Sequence, residues 1–167
     1  MKRIKTPKSI IEFGANVGFN LSALSRLYPQ TEISAIEINL FAVEKLKQLK
    51  LGGHIYPLSI LDFEPDYPRE LAFTKGVLIH ISPDALPKVY DLLYQTSEKY
   101  VLMAEYYNPT PVEVIYRGFA GKLFKRDFAG EFLDRFPDVS LIDYGFAYHR
   151  DPKFPQDDLT WFLFQKK

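Results

Sequence analysis

Ser9-Ile10-Ile11-Glu12-Phe13-Gly14-Ala15-Asn16-Val17-Gly18-Phe19-Asn20 is the stretch from which the rest of the chain is read. It begins as an apolar run between Pro7 and Gly14, too short for a helix and suited to a buried strand. Gly14 and Gly18 follow, and then Leu21, Leu24, Leu27 and Tyr28 fall on one helical face. The order is strand, glycine turn, helix. Glycine lets the turn adopt positive φ and approach a ligand closely. The helix start offers N–H groups that have no partner within the helix. Such a unit opens doubly wound α/β sheets, whose ligands sit beyond the carboxyl ends of the strands.

The glycine spacing discriminates between ligands. A dinucleotide fingerprint needs G-x-G-x-x-G. Here Asn16 stands at the middle position and no such triplet occurs. The pattern is E-x-G-x-x-x-G, with an acid two residues before the first glycine. Glycine turns also serve plain strand–helix packing, and that reading stands beside the ligand-binding one.

Length and charge narrow the classes. A chain of 167 residues suits one domain, spanning 1–167, with its own core. Basic and acidic residues balance at 21 each, so charge makes no case for nucleic acid or an anionic membrane as partner. The lack of cysteine excludes a disulfide framework and a cysteine-ligated zinc site. No apolar run approaches the ~20 residues of a transmembrane span. Thr6-Pro7-Lys8 stands where a signal peptide would place its apolar region, so the expected location is the cytoplasm.

Strand and helix signals then alternate. Residues 31–38 read as a second strand ending in Glu37 and Ile38. Asn39 is the expected cap of a helix with Ala42, Val43, Leu46 and Leu49 on one face, closed by Gly52-Gly53. Residues 54–59 read as a third strand and 62–70 as an irregular loop. Residues 71–75 form a fourth strand, Ser82-Pro83 a helix start, and 99–105 a fifth strand. Residues 106–125, with Pro109, Pro111, Gly118 and Gly121, break the alternation without a helical period. A helix through Phe128 and Phe132 follows, then strands over 139–149 and 159–165 joined by a polar stretch. Most of the many aromatic residues read as core, with a stacked pocket as the alternative.

Glu12-Phe13-Gly14-Ala15-Asn16-Val17-Gly18 resembles motif I of the class I methyltransferases that use S-adenosylmethionine (SAM). The resemblance implies a Rossmann-like α/β fold: a seven-stranded, mostly parallel sheet with an antiparallel last strand and helices on both faces. It implies that Glu12 helps hold the amino acid end of SAM and that Gly14, Ala15, Asn16 and Gly18 lie against the cofactor. Glu37 ends the second strand, where a carboxylate can accept both ribose hydroxyls; the alternative is an acid serving a helix dipole. Ile38 belongs to the same corner. In the family, the corner after strand three flanks the adenine, and Ser59, Ile60 and Leu61 occupy it here. Asp62 is either the polar partner of the adenine amine or a surface turn.

The wall after strand four, Thr74-Lys75-Gly76-Val77-Leu78-Ile79-His80, lies beside the transferable methyl in such folds. His80 is either a general base or a packed histidine. Lys75 faces the cofactor or an acidic substrate, or is a solvated strand end. Glu105 ends an apolar strand, where a carboxyl without a partner is costly, and two tyrosines follow it. His80, Glu105 and Tyr107 are the catalytic candidates. Tyr106, Asn108, Arg117, Lys125, Arg126, His149 and Arg150 are expected to converge on one acceptor pocket, since arginine and lysine suit carboxylate or phosphate. His149, Asp151, Asp157 and Asp158 have no diagnostic ligand spacing, so no metal is expected.

A narrower resemblance rests on longer runs. Thr74 to Ile81, Ala104 to Val114, Gly121 to Glu131 and Tyr144 to Pro152 through Trp161-Phe162 are similar to the pseudaminic acid biosynthesis-associated methylases. That family is associated with nonulosonic sugars of bacterial surface glycans. The resemblance implies a SAM-dependent methyltransferase whose partner is a small, anionic, sugar-type acceptor. The alternatives are methylation of another small molecule and a SAM-binding module without turnover. Family members carry a further segment before the first strand that covers the cofactor; with eight residues ahead of Ser9, weak SAM binding is expected.

Overall fold

Short aliphatic runs make the centre of the sheet. In the structure, a computed structural model that describes residues 4–167, Ile10, Ile11 and Phe13 of β1 (Ser9–Phe13) are fully buried. The chain continues through α1 (Phe19–Leu27), β2 (Glu32–Ile36), α2 (Leu40–Gln48) and β3 (Gly52–Tyr56). Then come β4 (Arg69–Lys75), α3 (Leu86–Thr96) and β5 (Ser97–Glu105). A small hairpin, β6 (Val112–Glu113) with β7 (Phe124–Lys125), precedes α4 (Phe128–Arg135), β8 (Val139–Ala147) and β9 (Leu159–Lys166).

Seven strands form one sheet in the order β3-β2-β1-β4-β5-β9-β8. β1 to β5 are mutually parallel where they pair, and β9 runs antiparallel to both neighbours. This is the seven-stranded layout with an antiparallel last strand that the sequence leads one to expect. Strand alternation divides the core between the two faces. Ile11, Phe13, Ala72, Val101 and Met103 pack with α3 and α4. Ile10, Leu71, Phe73 and Leu163 pack with Leu21 of α1 and Leu46 of α2. No helix among the described residues is long and apolar enough to cross a membrane.

Several boundaries differ from the sequence reading. Gly52-Gly53 does not close α2 but opens β3. The turn after α2 is made by Lys50 in the left-handed region, at φ 51°. Gly53 is needed for close approach: a Cβ there would lie 2.5 Å from the Ile33 carbonyl oxygen. β4 starts two residues early, at Arg69, whose fully buried guanidinium donates to Asp66, the Tyr56 hydroxyl and the Tyr67 carbonyl. Ser82-Pro83 opens a single 3₁₀ turn, and α3 proper begins at Leu86. The segment expected to be irregular holds the β6–β7 hairpin.

Candidate functional site

The site grows from the loop between β1 and α1. Gly14 has φ +76°, and its N–H and that of Ala15 both donate to the Ile36 carbonyl, at 2.9 and 3.0 Å. This ties the exit of β1 to β2. A Cβ on Gly14 would stand 2.8 Å from Val77, and one on Gly18 (φ +81°) 2.6 Å from Leu46. Both glycines are therefore required by backbone and by packing, and the loop still lines a cleft. Asn16 occupies φ 50° and donates its N–H to Glu37 Oε2 at 2.7 Å. Glu37 Oε1 accepts from the Asn39 N–H at 2.7 Å. Asn39 itself caps α2, accepting from Phe41 and Ala42. Glu37 thus braces the corner beside the helix cap.

Three cavities join along the carboxyl ends of β1, β2 and β4. The first, about 380 Å³, is lined by Gly14, Asn16, Glu37, Ile38, Ser59, Ile60, Leu61, Val77 and His80. Ser59 accepts from the Leu61 N–H at 3.1 Å and shapes the 3₁₀ turn there, while Asp62 is exposed in that turn. A recess of about 230 Å³ shares Gly14, Asn16, Gly76 and Val77 with it and adds Ala15, Asn20 and Lys75. The third cavity, about 610 Å³, shares Asn16, Gly76 and His80 and runs beneath the hairpin. Its other walls are Lys75, Tyr106, Tyr116, Lys125 and Asp157.

Glu12 sits under the loop, 1% exposed. Its Oε1 accepts from Asn20 Nδ2 at 2.6 Å, and its Oε2 has no hydrogen-bond partner among the described residues. Burial pushes its pKa up to about 8, against the pull of Asn20 and Lys75. Glu105 is 2% exposed and accepts from the Val77 N–H at 3.1 Å. Burial raises its pKa to about 7.

His80 lines both larger cavities, and its Nδ1 is 3.1 Å from the Lys122 carbonyl of the hairpin. A carbonyl oxygen only accepts, so Nδ1 is the donor in this contact, and in the neutral ring Nε2 is the nitrogen left with a lone pair. The Tyr116 ring lies 5.6 Å from the imidazole.

Of the expected acceptor residues, Tyr106 and Lys125 come together in the third cavity, with the lysine 5.4 Å over the tyrosine ring. The others do not join them. Tyr107 lines a separate apolar cavity of about 360 Å³ with Leu133, Tyr144 and Phe162. Arg126 is paired with Glu131, anchoring α4. Asn108 donates to the Thr110 carbonyl in its own turn. Arg117 stands at the hairpin tip, its guanidinium 5.2 Å from the Tyr116 ring. His149 is held by Asp158 through both ring and backbone, and Arg150 is exposed beyond β8. Asp151 caps its own turn, and no group of three or more metal-ligating side chains gathers among the described residues.

Asn20 was given no site role by the sequence reading; Gly76, Tyr116 and Asp157 appeared in it only within longer runs, as part of the wall after strand four, of the basic and tyrosine-bearing cluster, and of a weak metal set. Asn20 was within reach: it lies in the first turn of α1, where a side chain meets the end of β1. Asp157 also had a signal, since an antiparallel β9 must start at the ligand-binding edge.

No protein-family model matches this chain, and no curated protein matches its sequence. Solved structures do match. One is the Burkholderia thailandensis 1,6-didemethyltoxoflavin-N1-methyltransferase with 1,6-didemethyltoxoflavin and S-adenosylhomocysteine (SAH) bound, at TM-score 0.76 and 11% identity, covering 96% of this chain and 72% of that one. Another is an O-methyltransferase from a trans-AT PKS multienzyme of Brevibacillus brevis in complex with SAH, at TM-score 0.72 and 13% identity, covering 96% and 67%. A third is the magnesium protoporphyrin IX methyltransferase of Synechocystis PCC 6803 with SAM, at TM-score 0.67 and 13% identity, covering 95% and 69%. At such identities the likeness establishes the fold. The chain has the class I methyltransferase fold.

Proposed function

We propose that this chain is a SAM-dependent methyltransferase acting on a small-molecule acceptor that carries an anionic group. The observation that carries the reading is buried Glu12, whose Oε2 has no hydrogen-bond partner among the described residues and whose Oε1 is held by Asn20, a wall of the recess that Gly14 and Lys75 also line. A buried carboxylate oxygen without a partner is costly. The ammonium of the SAM amino acid end satisfies it. A carboxylate has about four acceptor sites, and the structure gives Glu37 one backbone donor on each oxygen. Both oxygens can therefore still take a ribose hydroxyl. Ile38, Ile60 and Leu61 offer an apolar wall to a planar base. The residues present fit the group.

SAM supplies an electrophilic sulfonium methyl when bound. The chain's own part is to orient an acceptor and receive its proton. Among the described residues, neither Lys75 nor Lys125 has a carboxylate partner within an ion-pair distance, and both face the third cavity. Unpaired ammonium groups in a cavity favour an anionic ligand. His80 lines both larger cavities, and with Nδ1 given to the Lys122 carbonyl its neutral ring would offer Nε2 as the general base. Glu105 and Tyr107 line neither of those cavities and touch no ligand in this reading. The acceptor is taken to be a sugar or sugar-nucleotide of nonulosonic acid synthesis; the similarity of residues 74–81, 104–114 and 121–131 to that methylase family supports it.

Calorimetric titration tests the cofactor. SAH binds and NAD does not. Glu37→Ala weakens SAH about tenfold or more, the loss of one charge-assisted hydrogen bond or two at ~1.5–3 kcal/mol each. NAD binding more tightly than SAH overturns the reading. A screen of sugar and sugar-nucleotide acceptors with SAM, read by mass, tests the acceptor.

A further inference from the structure

Glu105 ends β5 with its carboxyl under the segment Gly76–Ile81, not in any of the three joined cavities. That segment is the wall common to all of them. Gly76 and Val77 line the cofactor cleft and its recess, and His80 faces the third cavity as well. Few bonds hold the segment. Gly76 donates to the Ala104 carbonyl at 2.9 Å, His80 to Val77 at 2.9 Å, Ile81 to Leu78 at 3.1 Å, and the His80 ring to the Lys122 carbonyl at 3.1 Å. The Val77 N–H goes to Glu105 Oε1, and the N–H groups of Leu78 and Ile79 favour the charged form of the same carboxyl.

The neighbours on that face of β5 are Val101 and Met103, both buried and apolar. Thr74 of β4 adds a hydroxyl beside Glu105. Tyr90 of α3 faces it electrostatically, its own hydroxyl given to Glu131, which also pairs with Arg126. Tyr106, on the same chain segment, feels the charge of Glu105. No cation pairs directly with Glu105 among the described residues, and its Oε2 has no hydrogen bond. An apolar residue at this point would pack better and leave the Val77 N–H without a partner.

We propose that Glu105 is a positioning residue: its carboxyl seats the Gly76–Ile81 segment, and through it sets the wall of the cofactor cleft and the place of His80. It touches neither ligand. The proposal rests on the methyltransferase reading for its functional consequence, and its structural part stands without it.

The test compares wild type, Glu105→Gln and Glu105→Leu. Amide hydrogen exchange at Val77, Leu78 and Ile79 is read first. Glu105→Leu lowers protection there tenfold or more, with β1 and β2 unchanged, and Glu105→Gln restores it because the amide oxygen still accepts. SAH affinity follows the same order: within about threefold of wild type for Gln, tenfold weaker or more for Leu. Unchanged exchange in Glu105→Leu overturns the proposal. So does a Glu105→Gln protein that loses SAH as fully as Glu37→Ala, since the carboxylate would then act on the ligand itself. If Glu105→Leu does not fold, the amide resonances of residues 77–79 decide. The Val77 N–H shows the shift and slow exchange of a hydrogen-bonded amide in wild type and in Glu105→Gln; a Val77 amide that exchanges in wild type as freely as in an unstructured chain overturns the proposal. Wild-type protein that fails to bind SAH refutes the methyltransferase reading, and the exchange data still decide the role of Glu105.

Discussion

Replacing Glu12 by Gln removes a charge that the fold holds at a cost. Burial raises the Glu12 pKa from 4.5 to about 8. Such a shift corresponds to ~5 kcal/mol of penalty on the folded state once the group is ionised. The sign follows from proton binding. Below about pH 4.5 the group is protonated in both states and contributes nothing. As pH rises, the unfolded chain releases its proton first, so stability falls until about pH 8 and is level beyond. Glu12→Gln lacks this loss. Its amide keeps an oxygen for Asn20 but buries an N–H₂ without an acceptor, which returns ~1–3 kcal/mol. The variant is therefore more stable than wild type at pH 9 by a few kcal/mol and less stable at pH 4.5. Urea unfolding of the ligand-free proteins at pH 4.5, 7 and 9 measures this. A stability difference independent of pH, or a wild type favoured at pH 9, refutes the reasoning. The same variant binds SAH more weakly, because a neutral amide cannot pair with an ammonium. A stabilised protein with poorer ligand binding is the pattern expected where a site holds a strained group.

Two further outcomes separate the acceptor site from the scaffold. Lys125→Met raises the acceptor KM about tenfold with kcat retained, whereas Arg126→Met leaves KM unchanged and loosens α4, because Arg126 is paired with Glu131; steady-state kinetics and thermal melts distinguish them, and equal KM effects sink the assignment. Arg69→Met, which removes a fully buried guanidinium from Asp66, Tyr56 and the Tyr67 carbonyl, costs ~3 kcal/mol of stability by urea titration and leaves SAH affinity intact. A tenfold loss of SAH binding would show that the buried cluster and the cleft are coupled.

The fold was legible wherever the local pattern and the tertiary role agree. β1 is a closed apolar run with a glycine exit, and Asn39 caps α2 through contacts two and three residues away. Both are short-range, so the chain announces them. Gly52-Gly53 misleads because it looks like a helix stop. Its real constraint is the neighbouring strand, 2.5 Å from where a Cβ of Gly53 would be. The β6–β7 hairpin was hidden for a similar reason. Its strands are two residues each, too short for any alternation to register.

That Gly14 and Glu37 share one cleft was legible for the same reason as β1: both sit at strand ends, and the edge of a parallel sheet brings strand ends together. The acceptor side depends on pairings that no spacing encodes. Arg126 looks free in sequence and is paired with Glu131 five residues on; His149 finds Asp158 across the β8–β9 loop. One separation lay beyond the strand rule: β5 ends at Glu105, so alternation does not assign faces to the two tyrosines after it, and Tyr106 packs against the same core cluster as Val101 and Met103. Tyr106 reaches the third cavity, while Tyr107 joins Phe162 and Leu133 in the cavity below α4. Three successive residues thus have three surroundings: Glu105 meets the segment after β4, Tyr106 the third cavity, and Tyr107 the apolar cavity beside α4.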